Sequence, residues 1–237
     1  MRHPVPLQRG FTLVEIAIVL VVVGLLIGGL LTPLSTQLEQ RRVADTQRAM
    51  EEAREALIGF AALNGYLPCP AVSAANGLEA RDGDRCLGER RAGFLPWATL
   101  GMPKLDSWGH IFLYSVTPDF ADSTNRFRLA TPRDITVATR DAAGNLVAAT
   151  APNDIPAVIL SVGRNGYGGF SDLGVRAADA GAGNVDEKAN MALAGTAFIA
   201  RGASDNPALP GGTYDDLVVW VSPNILFNRL IAAGRLP

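Results

Sequence analysis

GFTLVEIAIVLVVVGLL, residues 10–26, carries a single charged side chain, Glu15, in an otherwise apolar run that continues to Leu31. At ~1.5 Å rise per residue, a helix over 11–31 is about 31 Å long, close to the hydrocarbon thickness of a bilayer. The preceding MRHPVPLQRG is short, polar and cationic through Arg2 and Arg9. A secretory signal places its small-residue cleavage site after the apolar segment. Here the glycine stands before it. The positive-inside bias keeps Arg2 and Arg9 cytoplasmic and sends the bulk of the chain across the membrane. A carboxylate inside such a helix is costly, so Glu15 either has a partner or lies within a turn of the surface and reaches water.

The Lys-free leader, Gly10, Phe11, Thr12, Leu13, Val14, Glu15 and the apolar run after them resemble the prepilin signal of type IV pilins and type II secretion pseudopilins. The resemblance implies that prepilin peptidase, a membrane aspartyl protease, cuts between Gly10 and Phe11, removes the leader 1–10 and methylates the new amine of Phe11. It further implies that Glu15 pairs with the terminal amine of a neighbouring subunit during assembly. Opposite charges attract far more strongly in a low-dielectric setting than in water, so such a pair offsets the burial of either group. The implied partners are other pilin or pseudopilin subunits. The implied location is the bacterial inner membrane, single-pass with a periplasmic head, and then the pilus or pseudopilus.

Thr32-Pro33 closes the apolar run, and a proline in a helix removes one backbone bond and bends the axis. A helical pattern nevertheless resumes. Leu34, Leu38, Val43, Met50, Ala53, Leu57 and Phe60 or Ala61 approximate one face, while Gln37, Gln40, Arg41, Asp45, Arg48, Glu51, Glu52 and Arg54 occupy the others. The sequence thus predicts one helix over 11–63, roughly 80 Å long. It spans the membrane over 11–31 and is amphipathic beyond. Asn64-Gly65 is its stop signal.

With 237 residues, 48% of them hydrophobic, and a formal net charge of -2, the chain is long enough for one sizeable domain with a core or two small ones, and its charge balance offers no overall field for nucleic acid. Arg81, Arg85, Arg90 and Arg91 cluster locally, but Glu79, Asp82, Asp84 and Glu89 interleave and nearly cancel them. Nucleic acid is therefore not an expected partner. Removal of the leader takes His3 with it, and the two cysteines, Cys69 and Cys86, with His110 alone are too few for a tetrahedral zinc site. In an export context the cysteines read as one disulfide closing a loop of about 18 residues, contributing roughly 3 kcal/mol. Two unpaired core thiols are the alternative.

From 64 to 237 the texture is that of short strands joined by loops, so the fold class is α+β: a long N-terminal helix packed on a C-terminal antiparallel sheet. The expected strands are His110–Val116, Arg126–Ala130, Ile135–Thr139, Leu146–Ala149, Ala157–Val162 and Leu217–Val221. The last two are the most apolar and are placed centrally. Ser222-Pro223-Asn224 opens a short closing helix that Gly234 stops. Leu105-Asp-Ser-Trp-Gly-His-Ile-Phe-Leu-Tyr114 resembles a turn into the sheet found in pseudopilin heads. Ser161-Val-Gly-Arg-Asn-Gly166 followed by Asp215-Asp-Leu-Val-Val-Trp220 resembles their closing segment. The stretch between these two motifs is longer than in a compact major pseudopilin, which favours a minor or specialised subunit.

Asp215 and Asp216, with Asn184, Asp186 and the backbone of Gly163–Gly174, offer oxygen ligands of the kind calcium takes, six to eight in flexible geometry. Major pseudopilins resemble this in carrying a calcium site near their C-terminal loop, although no residue-by-residue match extends over it here. The alternative is that both aspartates cap turns and face water. No other cofactor is expected. An enzyme is not expected either: G-x-S-x-G is absent, Gly163–Gly169 lacks dinucleotide-binding spacing, and His110 has no nucleophile motif to complete. The sequence therefore points to a structural subunit, a minor pilin or pseudopilin, with a pilus-borne adhesin or DNA-binding minor pilin as the alternative.

Overall fold

The computed structural model describes residues 11–192 and 194–236, with the side chains of 26–34 outside that set. The leader, and Gly10 with it, lies outside the described residues. Helix α1, Leu13–Asn64, is continuous over 52 residues and passes through Thr32-Pro33. It stops where Gly65 turns to φ 82° and donates its N–H to the Ala61 carbonyl at 2.7 Å. Glycine tolerates that left-handed conformation without a Cβ clash.

The chain divides into two compact units, Met1–Arg42 and Val43–Pro237. The second half of α1 thus belongs with the head. In the first unit the described apolar side chains of α1 are all exposed, from Leu13 to Leu25. Among the described residues, no helix is long and apolar enough to cross a membrane. The expected span 11–31 includes 26–31, whose side chains are outside those residues.

In the second unit the chain continues as β1 (Arg81–Asp82), β2 (Arg85–Cys86), β3 (Ala92–Phe94), α2 (Trp97–Leu100), β4 (Leu113–Val116), β5 (Thr136–Arg140), β6 (Leu146–Ala148), β7 (Ala157–Ser161), α3 (Val185–Asn190), β8 (Ala197–Ile199), β9 (Leu217–Trp220) and α4 (Pro223–Ala232). The main sheet is antiparallel with order β3-β4-β7-β9. A smaller sheet, β6-β5-β8, carries one parallel pair, β5 with β8. This departs from the all-antiparallel expectation, and the crossover between the parallel strands accommodates α3, as a parallel connection requires.

Side-chain alternation along the main sheet builds two cores. Tyr114, Val116, Ala157 and Ile159 face α1 and α4, joining Met50, Ala53, Leu57, Ala61, Leu226 and Leu230. Val158 and Leu160, flanked by Leu113, Val218 and Trp220, face the smaller sheet and pack with Ile135, Val137 and Phe198. Burial on both faces explains the uninterrupted apolar run of β7. β9, expected to be central, is instead an edge strand, and its side chains are half-buried. Arg126–Ala130 forms no strand, and the His110–Val116 segment narrows to β4, with His110 and Ile111 making isolated bridges to Ser171 and Leu105. The expected helical face is present in Met50, Ala53, Leu57 and Ala61, while Leu38 is exposed. One turn earlier the same face buries Thr46, whose hydroxyl meets Ser107 Oγ at 3.0 Å and accepts the Ser107 N–H at 3.1 Å.

Candidate functional site

The first site is the start of α1. Thr12 precedes the first helical residue, and its hydroxyl accepts the Glu15 N–H at 3.3 Å. The Glu15 carboxylate reaches back and accepts the Thr12 N–H and the Thr12 hydroxyl, both at 2.8 Å. This is a reciprocal capping box, which satisfies backbone donors that have no partner inside the helix. Both bonds fall on Oε2, so Oε1 takes no part in the cap. The T-x-x-E pattern in the sequence is the signal for this local role, which neither an intermolecular partner nor a reach to water anticipates. Phe11, next to the cap, is 85% exposed. The described apolar residues that follow it present an unpartnered surface, which water disfavours and lipid or sister helices would cover.

The second site is a carboxylate cluster at the junction of α3 and the entry to β9. Oxygens of Glu187, Asp215 and Asp216 lie within 4.8 Å of one another. Of the residues expected from sequence, Asp215 and Asp216 are brought together and Asp186 is not. Asp186 is fully buried and holds two guanidiniums, with Arg140 Nη2 on Oδ1 at 2.6 Å and Arg201 Nε on Oδ2 at 2.7 Å. Successive residues on a helix point about 100° apart, so when Asp186 faces these arginines Glu187 faces the cluster. The sequence reading missed Glu187, although its place beside Asp186 was the signal. Asn184 serves as a support: its amide donates to Glu187 Oε2 at 3.0 Å and its carbonyl accepts the Thr213 N–H at 3.1 Å.

No arginine or lysine contacts Glu187, Asp215 or Asp216 among the described ion pairs, whereas Asp186 has two. Glu187 Oε1 accepts from the Asn165 amide at 2.8 Å and the Asp215 N–H at 3.0 Å. Asp216 accepts from the Asn190 amide at 2.8 Å. Asp215 Oδ2 accepts the Asn165 N–H at 2.9 Å, and its buried Oδ1 has no hydrogen-bond partner. Desolvation, reinforced by the negative charge of Glu187, pushes the Asp215 carboxyl up to about 6. Burial and the neighbouring carboxylates raise Asp216 as well, against the opposing Asn190 bond. Gly163 closes the site from below: at φ 61° a Cβ there would sit 2.3 Å from the Asp215 carbonyl oxygen. Several buried anionic oxygens, one of them unpartnered, without a contacting cation make a donor set that fits a hard divalent ion.

The remaining expected residues have structural surroundings. Cys69 and Cys86 form a disulfide that ties the segment after α1 to the β1–β2 hairpin. His110 Nδ1 lies 3.1 Å from the Gly163 carbonyl, and Asp106 accepts the N–H groups of Trp108 and His110 at 2.9 Å each. Ser161 Oγ donates to Asp106 at 2.6 Å and is fully buried, so these three residues stabilise a turn rather than order a nucleophile against a base. The basic cluster is largely paired: Arg81 with Glu79, Arg85 with Asp122 and Arg91 with Asp134.

Residues 6–31 match the family model described as the prokaryotic N-terminal methylation motif. That motif is the signal of type IV pilins and pseudopilins, and it supports a pilin-like or pseudopilin precursor. It implies processing by prepilin peptidase and assembly with other pilins, as a membrane-anchored pilus or pseudopilus protein. Neither the curated proteins nor the solved structures compared with the chain give a match.

Proposed function

We propose that this chain is a structural subunit, a minor pilin or pseudopilin, of a type IV pilus or a type II secretion pseudopilus. The observation that carries the reading is the methylation motif over residues 6–31, with Glu15 set near the start of α1 among apolar side chains, Leu13 to Leu25, that are exposed. In this reading the precursor is cut after Gly10 and the span 11–31 holds it in the inner membrane with the head on the periplasmic side. The Phe11 amine then meets Glu15 of a neighbour, through Oε1, which the monomer's own cap leaves aside. Mass spectrometry of the protein from cells that contain the peptidase tests it. The expected mature chain begins at a methylated Phe11, and a chain that still begins at Met1 overturns the processing step.

A second element of the proposal concerns the carboxylate cluster, favoured by the unpartnered buried Oδ1 of Asp215. Glu187, Asp215 and Asp216 would hold a calcium ion, with Asn184 and Asn165 orienting Glu187. The ion would neutralise the cluster and fix the loop at Gly163 to the entry of β9. A melting curve with and without chelator near neutral pH decides it, since an unchanged midpoint would remove calcium from the account.

A further inference from the structure

The face of the main sheet turned away from α1 is only partly covered by the smaller sheet. Over β3 and β4 it leaves a cavity of about 290 Å³. Its body is apolar, lined among others by Phe94, Leu113, Val158, Leu160, Phe170 and Met191. Phe94 and Phe170 meet edge to face, with ring centroids 5.0 Å apart. The volume is roughly twice that of a ~150 Å³ apolar cavity able to hold benzene, which is enough for a medium-length alkyl chain.

The polar groups lining this space are already committed to the protein. Ser115 Oγ donates to the Gly195 carbonyl at 2.7 Å. The Asn190 amide donates to the Ile199 carbonyl at 3.1 Å and to Asp216 at 2.8 Å, and its carbonyl accepts the Ile199 N–H at 2.7 Å. Among the described residues, the Ser115 hydroxyl and the Asn190 amide thus offer an occupant no uncommitted partner. Arg90, exposed, also lines it. Its three neighbours in the basic cluster pair with Glu79, Asp122 and Asp134, while no ion pair or hydrogen bond holds the Arg90 guanidinium among the described residues. A mainly apolar interior with the uncommitted Arg90 among its lining residues selects a molecule with an apolar body and a single anionic head.

We infer that this cavity binds a medium-chain monocarboxylate, its alkyl chain against Leu113, Leu160 and Met191 and its carboxylate toward Arg90. The test uses the full chain in lipid nanodiscs with two probes, an octanoate bearing a diazirine and the corresponding octanol. Mass spectrometry maps the photo-adducts. The expected result is labelling by the acid at the cavity residues, competed by unlabelled octanoate and several-fold stronger than labelling by the alcohol. Arg90→Glu is expected to lower cavity labelling by the acid about tenfold and to leave the alcohol unchanged, because an exposed pair turned from attraction to repulsion has an effect of that order. Equal labelling by acid and alcohol in the wild type, unchanged acid labelling in Arg90→Glu, or adducts confined to other surfaces would each overturn the inference.

Discussion

Thr12 and Glu15 hold each other at the start of α1: the threonine hydroxyl accepts the Glu15 N–H at 3.3 Å while the glutamate accepts the Thr12 N–H at 2.8 Å. Glu15 therefore has two possible duties, capping its own helix and pairing with a neighbour's amine, and substitutions can separate them. Glu15→Gln keeps an acceptor for the cap and removes the charge. Thr12→Ala removes the cap's hydroxyl, which costs about 0.5–2 kcal/mol at a helix start, and keeps the charge. If pairing drives assembly, Glu15→Gln loses incorporation into filaments while Thr12→Ala retains most of it. Counting subunits in sheared filaments reads the difference, and normal incorporation of Glu15→Gln would refute the pairing role.

The disulfide between Cys69 and Cys86 closes a sequence separation of 17 residues. Replacing both cysteines by serine should destabilise the protein by roughly 3 kcal/mol, largely through the freed unfolded chain. For a domain of this size that lowers the melting midpoint by roughly 6–12 °C, measurable by circular dichroism. A midpoint unmoved by the double substitution would mean that the bridge adds no net stability.

The raised Asp215 carboxyl fixes the sign of the pH dependence. Its folded value of about 6 lies above the ordinary 3.8, so between these values the folded state binds more protons than the unfolded one. Without metal, this group makes stability fall as pH rises from about 4 through about 6. Calcium binds the deprotonated form, so its stabilisation should be present at pH 7.5 and absent at pH 4.5. At about a hundredfold excess over Kd it reaches about 2.7 kcal/mol. Melting curves in calcium and in chelator at both pH values check this. A calcium effect of equal size at pH 4.5 would contradict the assignment to these carboxylates.

Asp186 and Asp216 should respond differently. Asp186→Ala leaves Arg140 and Arg201 without their shared acceptor, and breaking a buried pair costs about 3–5 kcal/mol. That loss should appear with or without calcium. Asp216→Asn should lower the calcium response and leave the metal-free protein no less stable, because a neutral amide suits a site whose burial disfavours the carboxylate. Urea titrations of the two variants in calcium and in chelator provide the comparison. Loss of the calcium response in neither variant would argue against the cluster as the binding site.

The parts of the fold that follow a period were legible in the sequence. The stripe Met50, Ala53, Leu57 and Ala61 and the apolar run of β7 are buried as their patterns require. So are the parts governed by local chemistry, such as the stop at Asn64-Gly65 and the opening of α4 at Pro223. What was not legible depends on partners distant in sequence. β9 reads as a central strand because its side chains meet both cores, yet nothing in its own residues says whether a strand pairs on its outer edge. Thr46 looks like a break in the helical stripe until Ser107 is placed against it. At the carboxylate cluster, the choice between Asp186 and Glu187 turned on Arg140 and Arg201, which only the tertiary fold brings to α3.

The last stretch of the described chain is deeply built into the head. β9 pairs with β7, Leu226 and Leu230 complete the core under α1, Leu236 is buried, and Arg235 donates to the carbonyls of Ala62 and Leu63 at the end of α1. A chain that emerges N-terminus first, from a ribosome or through a translocation channel, can form α1 early. Its head core nevertheless lacks one edge strand and one helix until residues 217–236 have come through. Completion of the head core is thus deferred until residues 217–236 have emerged, and stops before Leu217 yield a head whose core is left open rather than a smaller working version of it.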